Sequence, residues 1–344
     1  VLPRNDCGDR AGSVEAGAMR VLFVVLAVLM IVPGWSGAGR LPLFRNPTPI
    51  VTATPVALYP DDPARRKIGP LTFLGGVSLR ANDSNFGGVS ALHVAGDRFT
   101  LLSDGGGVVR FRMGADWRPR DATAIDLPAG PGTGWTKMER DSESMVVRAD
   151  GRILIGFERA NAIWRYSPDF ARGEASVKPP SISGWWGNSG AEAMAELPGG
   201  DIVVFSEHHA DWGKPGYSAV RFDGDPTLPD TAHYQFHYIA DPGFSVTDAA
   251  ALDDGRILVL LRHFDLRTRF IGRLQIVDSA LIRPDAVVTG RTIASFERDV
   301  IHDNFEGLSV TREGDRTIVW IASDDNQLLL QRSLLLKFAL DPAF

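Results

Sequence analysis

The chain has 344 residues, 44% hydrophobic and 23% charged, a balance that excludes disordered and collagen-like classes. Lys and Arg number 36 against 42 Asp and Glu. A net charge of −6 with no basic block argues against nucleic acid, whose phosphates are held mainly by Lys and Arg. The one cysteine, Cys7, excludes an intramolecular disulfide framework and a cysteine-based zinc site.

Residues 21–32, VLFVVLAVLMIV, are an unbroken apolar run. It is too short for a membrane-spanning helix, which needs about 20 residues, and long enough for a signal-peptide core of about 7–15. Met19 and Arg20 precede the run, Pro33-Gly34 ends it, and Ser36-Gly37-Ala38 reads as a small-x-small cleavage site. Translation is therefore expected to start at Met19, with residues 1–18 an upstream leader or mis-called start and residues 19–38 a signal peptide. An uncleaved N-terminal anchor is the alternative and the one expected route to a membrane. The expected location is periplasmic or secreted, where calcium is available. Residues 39–66 carry six prolines and no periodicity, and read as an extended lead-in to a domain spanning 67–344.

Five segments of that domain share one grammar: 86–104, 142–158, 191–207, 247–262 and 305–324. Each starts from an anchor, Gly87, Glu143, Glu192, Asp248 or Glu306. A glycine turn follows, then a β-rich run, and a polar residue closes it: Asp104, Glu158, Glu207, Arg262 or Asp324. Apolar runs on both sides of an Asp-Gly or Gly-Asp turn signal a β-hairpin. The runs ILIGF, IVVF, ILVLL and TIVWIA suit strands buried on both faces. A hairpin every ~50 residues, with room for two more strands, is the period of a propeller blade. The expected fold is an all-β propeller, with six blades preferred and five allowed. Residues 333–340, SLLLKFAL, are expected to pair with 71–79, LTFLGGVSL, closing the ring without a long open edge. A β-sandwich is the structural alternative.

Equivalent positions of successive blades lie on one ring around the central channel. Glu143, Glu192, Asp248 and Glu306 are thus expected at one mouth, with Asp324 nearby. Carboxylates packed this closely need cations or raised pKa values. Calcium, which takes 6–8 oxygens in irregular geometry, is the expected cofactor. Caps and turns are the plainer reading of the same acids. Arg159 and Arg262 suit a bound carboxylate or phosphate, or a neighbouring acid. The adjacent His208 and His209 make a weak zinc site. The tryptophans of GWWGNSG at 184–190 suit either a stacking platform or packing between blades. No G-x-S-x-G, H-E-x-x-H, Walker A or G-x-G-x-x-G sequence is present.

The succession FGGVSAL…SDGG, DSESM…GFER, NSGAEAMAELPGGDIVVFSE, AALDDGRILVLLR and DNFEGLSV…SDDN resembles the phytase-like domain family, also described as proteins with esterase-like activity of phytase. The resemblance covers about residues 67–342. Asp141 and Glu143 match its D-x-E segment, Glu192 the acid after N-x-G, and Arg262 the end of its L-V-L-x-R strand. Glu306 and Ser323–Asn326 match its last two segments. The chain departs at Leu261, where many relatives have Glu. The resemblance implies a secreted or periplasmic propeller that hydrolyses a phosphate or carboxylic ester.

Two functions follow. In the first, Glu143, Glu192, Asp248, Glu306 and Asp324 hold Ca²⁺, Arg159 and Arg262 bind an anionic small-molecule ester or phosphoester, and Glu207 or Glu158 is the general base. In the second, the propeller binds a ligand or partner without chemistry, and its calcium is structural.

Overall fold

The computed structural model describes residues 43–344 except 135, 268, 329 and 330. The expected leader and signal peptide lie outside the described residues. Five antiparallel sheets follow one another along the chain. The first blade is Val89–Ala95, Arg98–Ser103, Gly107–Arg112 and Arg120–Asp126, and the second is Ser142–Val147, Ile153–Phe157, Ala162–Tyr166 and Gly173–Val177. The third, Ala191–Glu196, Ile202–Ser206, Tyr217–Phe222 and His233–Ile239, gains a parallel outer strand, Val287–Thr289. The fourth is Ser245–Ala251, Arg256–Asp265, Arg269–Asp278 and Arg291–Phe296. Among the described residues the helices are two single 3₁₀ turns, Lys137–Glu139 and Ser279–Leu281.

The fifth blade is built from both ends of the described chain. Asn304–Glu313, Arg316–Asp324 and Ser333–Leu340 are completed by Leu71–Ala81, with Ser333 opposite Leu79 and Leu340 opposite Leu71. This is the closure expected from the two apolar runs. Val51–Pro55 and Lys67–Ile68 then pair with Leu71–Ala81. The lead-in thus contributes an edge strand, and Leu58 and Tyr59 are buried in the core.

The blade count is five, the lower of the two expected numbers. The chain that a sixth blade would need goes into the extra edge strands and into long loops at 178–190 and 207–216.

Each apolar core cluster fills one gap between neighbouring blades. Leu101 of the first blade faces the fifth, beside Ile318 and Trp320, while Leu102 faces the second, beside Ile155 and Phe157. Leu154 and Val204 share the next gap, Val203 and Val259 the next, and Leu260 and Ile321 the last. Alternate side chains of one strand therefore serve two gaps, so the strands read as continuous apolar runs.

Candidate functional site

The inner strands of the five blades neighbour one another in a closed ring. Each opens with the same irregularity. The pairing register slips by one residue at its start, between Val89 and Ala91, Ser142 and Ser144, Ala191 and Ala193, Val246 and Asp248, and Phe305 and Gly307. A bulge of this kind leaves one residue unpaired and re-aims its side chain. The five bulge residues are Ser90, Glu143, Glu192, Thr247 and Glu306. The two hydroxyls lace blades together: Ser90 Oγ donates to the Ser142 carbonyl at 2.6 Å, and Thr247 Oγ1 to the Phe305 carbonyl at 3.0 Å. Glu143 and Glu192 make no such hydrogen bond among the described residues.

The second strand of each blade supplies another ring. Opposite the residue before each bulge stand Ser103, Phe157, Ser206, Leu261 and Ser323, and the next residue in each case is Asp104, Glu158, Glu207, Arg262 or Asp324. Leu261 is buried between blades three and four, so the alternation sends Arg262 to the mouth. Two carboxylate-bearing strands approach closely where Gly190 enters the third blade. A Cβ there would stand 2.2 Å from the Glu158 carbonyl oxygen, so no other residue fits.

Two carboxylate groups converge and share one member. Oxygens of Asp141, Glu143 and Glu158 lie within 4.8 Å of one another, as do oxygens of Glu158, Glu192 and Glu207. Arg159 Nε donates to Asp141 Oδ2 at 2.7 Å, and Lys137 pairs with Asp104 on the first blade. Toward the fifth blade, Arg262 donates to Glu207 Oε1 at 2.9 Å, to Asn304 Oδ1 at 2.9 Å and to Glu306. Asn304 Nδ2 donates to Glu306 at 2.9 Å and to Asp324 at 3.2 Å. His208 Nδ1 stands 2.8 Å from Glu207 Oε2.

Burial, reinforced by neighbouring carboxylates, pushes Glu143, Glu192 and Asp324 well above the ordinary range. Glu158 is pushed up to about 9 by burial, then by Asp141 and Glu207. Burial raises Glu306 to about 7 against the pull of Arg262. Glu207 goes the other way: burial opposes its charge, but His208 and Arg262 together outweigh it and hold the pKa below the ordinary value. Glu207 in return raises His208.

The structure thus brings together Glu143, Glu158, Glu192 and Glu207, and sets Arg262, Glu306 and Asp324 beside them. Arg159 lies at the edge, held by Asp141. Asp248 stands apart. It is one residue past the bulge at Thr247, and its oxygens accept backbone N–H groups of Leu308 at 2.6 Å and Ala249 at 2.8 Å. It ties the fourth blade to the fifth. Likewise the first-blade equivalent of the glutamates is Ser90, not Gly87. Of the other acids near the last blade, Asp303 pairs with Arg332 and Asp325 accepts from Gly88 and Ser333.

Three further residues belong to the mouth: Asp141, Lys137 and His208. Asp141 was visible in the D-x-E segment, and His208 in its place next to Glu207. Lys137 lies in the loop between blades one and two, where no repeat marks it. The two histidines diverge, His208 toward Glu207 and His209 toward Asp211 at 3.5 Å. The two tryptophans also part. Trp185 is buried between blades two and three, whereas Trp186 is 54% exposed, with its ring edge-on to His208 at 6.1 Å and to His209 at 5.1 Å.

As a donor set, the five converging acids offer only carboxylate oxygens, and Glu143, Glu158 and Glu192 are in no ion pair among the described residues. That chemistry fits a hard divalent cation such as Ca²⁺ and not a soft metal.

Among solved structures, the chain is similar to virginiamycin B lyase from Staphylococcus aureus, at 9% identity over 84% of this chain and 99% of that one, with a TM-score of 0.41. It is similar to the major Malassezia sympodialis allergen Mala s 1, at 11% identity over 85% and 96%, with a TM-score of 0.44. A bifunctional GH43-CE protein of Bacteroides eggerthii is similar at 12% identity over 82% of this chain and 41% of that one, with a TM-score of 0.42. No curated protein matches the sequence. The model of the phytase-like family, described as esterase-like activity of phytase, matches residues 84–327. That match spans well over half of the sequence and takes in every acid of the mouth, and the chain belongs to the phytase-like family.

Proposed function

We propose that the protein is a periplasmic or secreted, calcium-dependent hydrolase of ester or phosphoester bonds. The observation that carries this is the convergence of Asp141, Glu143, Glu158, Glu192 and Glu207, with Glu143 and Glu192 in no ion pair among the described residues. Asp141, Glu143, Glu158 and Glu192 would hold Ca²⁺, with Glu207 beside them. The ion, when bound, supplies charge stabilisation for an ester or phosphoryl oxygen and acidifies water.

The chain's own residues divide the remaining work. Lys137 and Arg159, both partly exposed at the edge of the mouth, draw in an anionic substrate. Glu207 stays ionised and suits a general base. His208, whose pKa Glu207 raises, is placed to return a proton to a leaving oxygen. Arg262 orients Glu207 and Glu306 rather than meeting substrate, because its donors are already engaged. The open face of Trp186 beside His208 suits a ring on the leaving group.

The second reading, a ligand-binding propeller with structural calcium, is favoured by that same saturation of Arg262, which removes one expected anion contact. Thermal melts in EDTA and in Ca²⁺, with p-nitrophenyl phosphate and p-nitrophenyl acetate assayed on the same samples, separate the two. Calcium-dependent turnover that Glu192→Gln abolishes supports the hydrolase. A calcium-dependent melting temperature without turnover supports the binding propeller. Independence of calcium in both measurements removes the metal site.

A further inference from the structure

At the end near the mouth, apolar side chains close the gap between the first and second blades. There Ala91, Leu102 and Val108 of the first blade meet Met145, Ile155 and Phe157 of the second. Two residues further along each strand, the same face carries His93, Thr100 and Arg110, which stand opposite one another in one cross-strand row. Two residues further again come Ala95, Arg98 and Arg112. Arg98 and Arg112 are directly opposed, an arrangement that like charges disfavour. Here a groove of about 370 Å³ opens, with Val147, Ile153, Pro168 and Phe170 of the second blade as its far wall. It lies at the turn end of the blades, about 10 Å or more along the inner strand from the bulge at Ser90.

The groove's polar groups are poorly satisfied by the protein. Arg110 has its guanidinium 5.9 Å from the Phe170 ring and makes no hydrogen bond or ion pair among the described residues. Arg98 is likewise in no ion pair within the described residues. Arg112 is taken by Asp97, with two contacts of 2.9 and 2.6 Å. Asp121 also lines the groove, so three guanidiniums against Asp121 and Asp97 leave one positive charge in excess. His93 makes no hydrogen bond among the described residues, and burial lowers its pKa, which keeps the imidazole neutral.

We infer that this groove is a second binding site, for a small organic anion with a carboxylate or phosphate head and an aromatic or aliphatic body. The head meets Arg110 and Arg98, with His93 and Thr100 as neutral hydrogen-bonding partners. The body lies against Phe170, Pro168, Val147 and Ile153. The volume suits a ligand of this kind, and the few convergent polar groups on an apolar wall are what fix its orientation. Nothing in the site depends on the mouth or on calcium.

Titration calorimetry of the whole protein with 2-naphthoate, beside its uncharged counterpart 2-naphthol, tests the assignment. Saturable one-to-one binding of naphthoate is expected, with naphthol at least tenfold weaker. Arg110→Gln should weaken naphthoate at least tenfold, and Thr100→Trp, which fills the groove, should remove binding. Arg159→Gln at the mouth should leave it unchanged. Hydrogen exchange of the unmodified protein provides a check that needs no variant: naphthoate should protect strands 98–103 and 107–112. No saturable binding, equal binding of naphthol, protection elsewhere, or wild-type affinity in folded Arg110→Gln and Thr100→Trp would each overturn the site.

Discussion

Where blades four and five meet at the mouth, Arg262 lies among Glu207, Glu306 and Asn304, and Asn304 passes a further amide hydrogen to Asp324. Where blades two and three meet, Glu143 and Glu192 are in no ion pair among the described residues, and both share Glu158 with a further carboxylate. The backbone is the same on both sides, down to the bulge that aims Glu143, Glu192 and Glu306. The difference is one residue: a ring position that is Asp or Glu on four blades is Arg on the fourth. Closely packed buried acids are tolerated only with positive charge or protons among them. One side carries its own cation, and the other must take one from solution or hold protons.

The sharpest way to break the contrast is to remove the built-in cation. Arg262→Gln leaves Glu207 and Glu306 buried without it and should cost about 3–5 kcal/mol. Arg159→Gln, which removes a partly exposed partner of Asp141, should cost less than about 1 kcal/mol. Urea melts of the two variants measure the gap, and equal losses would erase the distinction between the two sides.

Next in size is the response to calcium. At a hundredfold excess over its dissociation constant an ion adds about 2.7 kcal/mol, which should raise the melting temperature of a domain this size by about 4–5 °C. Glu192→Gln and Glu306→Gln should then differ in sign without metal. The first removes charge from the uncompensated side and should leave the metal-free protein as stable or more so, while abolishing the calcium response. The second takes a partner from Arg262 and should destabilise it. A calcium response that survives Glu192→Gln places the ion elsewhere.

The uncompensated side also sets a pH dependence. Glu158 is raised from about 4.5 to about 9, so between those values the native state binds more protons than the unfolded chain. Stability of the metal-free protein should therefore fall as pH rises across that window. Glu306 adds to the fall between about 4.5 and 7. Glu207 has the opposite sign, but its contribution is lost only as pH falls below the ordinary glutamate range. Urea midpoints in EDTA at pH 5, 7 and 9 should decline, and calcium should flatten the decline; a midpoint that rises with pH contradicts the assignment. The smallest effect is expected at Asp248. Asp248→Asn turns one acceptor into a donor beside a backbone N–H and should cost about 1–2 kcal/mol, with the calcium response unchanged.

The parts of this arrangement that were legible in sequence are those that repeat. Five turns with apolar runs on both sides announce blades, and the runs at 71–79 and 333–340 announce the closure. Glu143, Glu192 and Glu306 stand out because a repeated acid interrupts an apolar pattern. Asp248 and Gly87 misled because a bulge adds a residue to one strand and none to its partner. Aligning segments by their first acid therefore slips by one or more positions wherever the bulge residue is Thr or Ser. The pairing of Arg262 with Glu306 joins residues of different blades, and Lys137 sits in a loop without a counterpart. Trp185 and Trp186 are neighbours with opposite fates because successive side chains leave a chain in different directions. None of these is written in a local pattern.

The closure of the fifth blade carries a consequence for how the molecule is made. Leu71–Ala81 leaves the ribosome about 250 residues before Ser333–Leu340, its partner. At about 5–20 residues per second that interval is on the order of ten seconds or more. Val51–Pro55 is available at once to cover one side of the waiting strand, while the other side stays open until synthesis is nearly finished. Asn304, Glu306 and Asp324 arrive on that same last blade. A nascent chain thus holds a sticky strand edge and an unfinished mouth together, and both vanish in one final step, when the tail of the chain finds its head.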